Sequence, residues 1–157
     1  MKNFILTSES VTAGHPDKLC DQISDAVIDA CLMRNPQEAV VAECAISSGV
    51  VFLSLRGTAE PPCDLAELAR DVIEAAGYPH AAATGPTVML DIDPGRSSDA
   101  SRPRAQMTTA FGYACDHTPE AMPLSIWAAH RLTRALNAAR SEGRLPWLSP
   151  DAQAQVA

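Results

Sequence analysis

The run Ser8-Glu9-Ser10-Val11-Thr12-Ala13-Gly14-His15-Pro16-Asp17-Lys18 sets an imidazole, a carboxylate and an amine almost side by side, just ahead of an apolar-periodic segment. Lys18 is one of only two lysines in 157 residues, beside ten arginines. A helix N-terminus leaves backbone N–H groups unpaired and carries roughly half a positive charge, so phosphates and carboxylates bind there readily. His15 just outside the first turn and Lys18 inside it add two donors toward such an anion. Asp17 has the chemistry of a hard-cation ligand that holds Mg²⁺ against phosphate oxygens. His15 can instead transfer a proton, its ordinary pKa lying near ~6.5. A purely structural role also accounts for these types: Asp17 as a first-turn acid favouring the dipole, His15 as a surface residue.

The elements that must carry this run follow from periodicity. Pro16 suits the first helical position, and Leu19, Ile23, Ala26, Val27, Ala30 and Cys31 then recur at helical spacing until the breaker Arg34-Asn35-Pro36-Gln37. Two apolar runs, 39–47 and 50–58, flank Ser48-Gly49 and predict a hairpin with a two-residue turn. Residues 63–78 read as an amphipathic helix capped by Asp64 and stopped by Gly77. Residues 86–93 predict a third strand, 94–106 a polar loop and 107–114 a further strand. A long helix is expected over about 120–142, with Pro123 in its first turn or else a later start, then an extended tail that Trp147 pins to the body. These elements predict an α+β fold, an antiparallel or mixed sheet with helices packed on one face, in a single domain over 1–157. So short a chain leaves the other sheet face uncovered, which predicts a homo-oligomer.

Apolar residues form 46% of the chain and charged ones 20%, a globular rather than disordered balance. A net charge of −7 with no basic stripe argues against nucleic acid or an anionic membrane as partner. With no long apolar segment near the N-terminus or elsewhere, the expected location is cytoplasmic. Five cysteines without a C-x-x-C spacing read as small buried hydrophobes.

The stretch "TSESVTAGHPDKLCDQISDAVIDA", with "FGYACDHTPEAMPLSIWAAHRL" and "LPWLSPDAQAQV", resembles the S-adenosylmethionine synthetase family, whose signature is Gly-His-Pro-Asp-Lys. The resemblance runs along the whole chain and is read as the first of the family's three similar domains. It implies ATP and methionine as ancestral substrates, with Mg²⁺ and K⁺ as cofactors. His15 and Lys18 are the implied catalytic pair, and His15 contacts the phosphate chain. Glu9, His15, Arg56 and Asp151 form the implied substrate or nucleotide set, Asp17 the Mg²⁺ ligand and Glu43 the K⁺ ligand. Glu43 equally suits a polar strand position facing solvent.

Departures from the family pattern bear on chemistry. Ala13 replaces a usual glutamate, and Arg56 stands where the family places the glutamate that holds the methionine ammonium. That swap turns attraction into repulsion. Gln153 replaces a phosphate-facing lysine, the gate loop is shorter, and Gln106 takes an aspartate position. A triphosphate needs several cationic donors plus metal, and losing one transition-state donor commonly costs ~100-fold or more. Three readings follow. In the first, a repurposed enzyme acts on a small anionic or nucleotide-like substrate at an oligomer interface, Arg56 binding a carboxylate or phosphate. In the second, the chain is a regulatory subunit whose partner is a full-length synthetase. In the third, the ancestral reaction is retained, alone or with a partner chain.

Overall fold

The computed structural model describes residues 5–57, 60–79, 85–94 and 109–157. In chain order its elements are β1 (Ser8–Val11), α1 (Pro16–Arg34), β2 (Val41–Ser47), β3 (Val50–Arg56), α2 (Leu65–Ala75), β4 (Thr87–Asp93), α3 (Leu124–Ser141) and β5 (Gln153–Val156). They fall into two compact units, one built from 16–105 and the other from 1–15 with 106–157. The architecture is α+β.

In the unit of 16–105, α1 buries Leu19, Ile23, Val27 and Cys31, one residue per helical turn. Of these, Ile23, Val27 and Cys31 meet Val51, Leu53 and Leu55, the alternate residues of β3, and Leu65 and Ala69 of α2. The sheet order is β2-β3-β4. β2 and β3 pair antiparallel from Val41↔Arg56 to Ser47↔Val50. Ser48 and Gly49 join them with positive φ at both positions (48° and 82°), the backbone of a type I′ turn whose twist matches its strands. β4 pairs parallel to β3, because the intervening α2 carries the chain back to the starting edge. Asp64 caps α2, its Oδ1 accepting from the amides of Ala66 and Glu67 at 2.9 and 3.0 Å. The sheet is therefore mixed. Its core side faces the helices, while Val41, Phe52 and Met89 remain exposed.

In the unit of 1–15 and 106–157, β1 and β5 form an antiparallel ribbon, Ser8↔Val156 through Val11↔Gln153. Helix α3 lies on it through hydroxyls: Ser8 Oγ to Ser125 Oγ at 2.9 Å, and Ser10 Oγ to His130 Nδ1 at 2.8 Å and Thr133 Oγ1 at 3.1 Å. The expected extended tail is thus partly a strand, and the signature run itself opens as one.

Two expectations fail here, for the strand at 107–114 and for Trp147, and of the two starts left open for the long helix the later one holds. The strand expected at 107–114 is absent over its described part, 109–114, where Phe111 and Tyr113 are highly exposed. Helix α3 starts at Leu124, since Pro123 keeps an extended ψ of 140° and only flanks the helix. Trp147 does not pin the tail, for its side chain is 77% exposed. No helix among the described residues is long and apolar enough to cross a membrane.

Candidate functional site

The end of the β1–β5 ribbon brings three of the predicted residues to one locality. Thr12 continues the pairing past β1: its amide donates to the Ala152 carbonyl at 2.9 Å, and its Oγ1 accepts from the Ala152 amide at 2.8 Å. The Thr12 hydroxyl donates to the Pro150 carbonyl. Asp151 is therefore held between two residues tied to Thr12, and the chain turns so that the His15 amide donates to the Thr12 carbonyl at 3.1 Å. Gly14 passes so close to Pro150 that a Cβ there would lie 2.5–2.6 Å from Pro150 Cβ and its backbone. Only glycine permits that approach. Glu9, on β1, accepts from Gln153 Nε2 at 2.8 Å. Gln153, where the family pattern has lysine, thus neutralises no charge and is committed to Glu9.

Pro16 begins α1, so Asp17 and Lys18 occupy its first turn, as the spacing predicts. His15 belongs to one compact unit and Asp17 and Lys18 to the other.

The remaining pair, Glu43 and Arg56, is exposed on the sheet face away from α1. The hairpin register sets Val41 opposite Arg56, placing Glu43 on the diagonal and on the same face. Arg56 Nη2 donates to Glu43 Oε2 at 2.9 Å, an ion pair in which both side chains are about half exposed (46% and 66%). Two residues assigned separate ligands in the sequence are therefore each other's partner. Neighbouring Ser54 donates to Asp91 Oδ2 at 3.3 Å, so carboxylates of β2 and β4 each have a donor on β3.

On the opposite side of β2, Cys44 packs against α1. Burial, followed by the hydrogen-bonded thiol of Cys20, pushes its pKa up to about 12. Burial likewise raises the pKa of Cys31, with a smaller contribution from Glu38. The expectation of buried cysteines holds for Cys31; Cys20, Cys44 and Cys115 are half-buried and Cys63 is exposed. Gln106 lies outside the described residues.

The family model for the S-adenosylmethionine synthetase N-terminal domain matches residues 3–92, more than half of the chain. The chain belongs to this family. The model for the family's central domain matches residues 104–157, extending the resemblance beyond the opening domain. Similar curated proteins include S-adenosylmethionine synthase 1 of Rhodospirillum rubrum, 42% identical over 167 residues and covering 99% of this chain. The S-adenosylmethionine synthase of Trichodesmium erythraeum is 41% identical over 177 residues, covering 98%. That of Prochlorococcus marinus (strain MIT 9515) is 42% identical over 176 residues, covering 99%. This chain spans only 44%, 42% and 43% of those relatives. The aligned spans exceed 157 positions, so the relatives carry residues within them that this chain lacks.

The two implied metals fare differently. Among the described residues no three His, Cys, Asp or Glu side chains converge as a metal cage. Mg²⁺ commonly takes only one or two carboxylates, with waters and substrate phosphates completing its shell. Asp17 in a first turn beside Lys18 fits that role. A monovalent cation at Glu43 does not fit, because the Arg56 guanidinium already occupies the carboxylate's Oε2 and would repel it.

Proposed function

We propose that this chain is a divergent S-adenosylmethionine synthetase-like enzyme that binds the phosphate chain of a nucleotide or another small anionic metabolite, and that it does not make S-adenosylmethionine unaided. The observation that carries this reading is the Arg56–Glu43 ion pair at 2.9 Å. Where the family resemblance implies an acid for an ammonium group and an acid for K⁺, this chain has a guanidinium neutralising a carboxylate. An incoming methionine ammonium is offered no net negative charge there.

The helix entrance keeps its chemistry. The α1 N-terminus and Lys18 attract phosphate oxygens, and Asp17 would hold Mg²⁺, which supplies charge neutralisation on those oxygens when bound. His15, anchored through its amide to Thr12, would give or take a proton at the bond undergoing change. Glu9 and Asp151 border the ribbon end, and the resemblance implies substrate contacts for both.

We further propose that copies pair through the sheet face bearing Val41, Phe52 and Met89. Within one copy that face, with Arg56 and Glu43, lies across the sheet from the body of α1. A second copy would supply the missing wall, in the cytoplasm. The alternative, a retained methionine adenosyltransferase reaction with other segments or a full-length partner supplying further cations, draws on the 42% identity that extends over 99% of the chain.

Calorimetric titration with tripolyphosphate plus Mg²⁺ tests the proposal. Saturable binding that Lys18→Ala weakens about tenfold is expected, because charge-assisted donors to phosphate are among the strongest polar contacts. Absence of binding, or binding indifferent to Lys18→Ala, overturns it.

A further inference from the structure

Helix α3 carries a second constellation that the proposed chemistry does not use. A cavity of about 550 Å³, within the usual range of small-molecule pockets, is lined by Trp127, His130, Arg131 and Arg134 on one helix face and by Glu120 from the preceding loop. The spacing i, i+3, i+4, i+7 sets these four side chains in adjacent turns. The Arg131 guanidinium lies over the Trp127 ring, 4.7 Å from its centroid. That contact fixes a flat cationic plate on an aromatic one. Arg134 stands one turn further along. Neither arginine has a carboxylate within ion-pair distance among the described residues, and Glu120 has no cationic partner there either. His130 commits Nδ1 to Ser10 Oγ, leaving Nε2 as its remaining polar atom.

Salt bridges elsewhere on this surface join neighbours such as Arg34 with Glu38 and Arg144 with Glu142. Two exposed arginines with no carboxylate partner among the described residues therefore keep their donors available to an anion from outside the chain. A bare phosphate would use the arginines but neither the stacked plate nor Glu120. A planar heterocycle extends the guanidinium–indole stack, as bases do on arginine and aromatic platforms. A carboxylate opposite the arginines accepts from an amino or hydroxyl donor.

We propose that this cavity is a binding site for a nucleoside monophosphate, with the base stacked on the Arg131–Trp127 pair, the phosphate on Arg134 and His130, and a sugar hydroxyl or ring amine on Glu120. The residues of this site are not those of the helix entrance, and the proposal does not depend on the function proposed there.

The test is a fluorescence titration of Trp147→Phe protein with AMP, adenosine and inorganic phosphate; Trp127 is then the remaining tryptophan of two. AMP is expected to change the signal saturably, with adenosine and phosphate each at least about tenfold weaker. Arg134→Ala should weaken AMP about tenfold while leaving adenosine unchanged, and His15→Ala should leave the AMP response intact. An AMP response that is absent up to about 10 mM overturns the proposal, since binding that weak carries under ~3 kcal/mol. So does a response unchanged by Arg134→Ala, or one abolished by His15→Ala, which would place the nucleotide at the helix entrance.

Discussion

Arg56, where the resemblance implies an acid, lies in an unbroken hairpin pairing from Val41↔Arg56 to Ser47↔Val50 and takes Glu43 as its partner. Both residues sit on the open sheet face with about half their surface in water, so the pair itself adds little stability. Arg56→Ala should change the unfolding free energy by under about 1 kcal/mol in urea titrations, as expected for an exposed ion pair. A loss well beyond that would mean Arg56 is structural. Cys44 is the opposite case. Its folded pKa is raised to about 12 from an ordinary 9.0, by burial first and then by Cys20. Well below pH 9 the thiol is neutral in both states, and no stability depends on it. As pH rises from 9 toward 12 the unfolded thiol ionises and the folded one does not, so stability falls across that window. Melting curves over the window should show a steeper loss for the native protein than for Cys44→Ala. The family resemblance gave Glu43 and Arg56 separate roles as a cation ligand and an anion ligand. Their pairing was nonetheless implicit in the Ser48-Gly49 turn, because a two-residue hairpin sets 47 against 50 and therefore 41 against 56.

At the scale of elements, what was legible in the sequence was what local periodicity and caps dictate. The stripe of α1, the Asp64 cap of α2 and the turn residues of the hairpin each act within a few residues, and each appears where expected. The β1–β5 ribbon was not legible. Its strands are four residues each, rich in Ser, Glu and Gln, and their partners lie more than a hundred residues apart. No apolar alternation marks such strands; the long-range hydroxyl contacts of Thr12, Ser8 and Ser10 hold them instead. The same ribbon orients His15 and Asp151, so part of the candidate site depended on a pairing that sequence could not reveal. Gly14→Ala probes it. With a Cβ forced within 2.6 Å of Pro150, the ribbon end must shift, at a cost of about 1–3 kcal/mol. Denaturant unfolding should show that loss; a neutral substitution would mean the Thr12–Ala152 clamp does not constrain the signature run. The cavity on α3 is also hard to read from sequence. Trp127, His130, Arg131 and Arg134 share one helix face, but an aromatic within an Ala/Leu stripe reads first as core.

For the whole molecule, family membership and the proposed change in site chemistry have separate grounds. Membership rests on matches that run along nearly the entire chain, and the proposal on a few side chains within them. A fold of this kind hosts new reactions once the residues that recognise a substrate change while the frame persists. This chain has the mixed sheet, the α1 entrance and the ribbon, and it carries arginine at position 56, where the resemblance implies an acid.

The most direct measurement of the central claim is a product assay on the purified 157-residue chain, supplied with ATP, labelled methionine, Mg²⁺ and K⁺. Our account predicts no labelled S-adenosylmethionine above an enzyme-free control. Steady formation of S-adenosylmethionine by the native chain would contradict it.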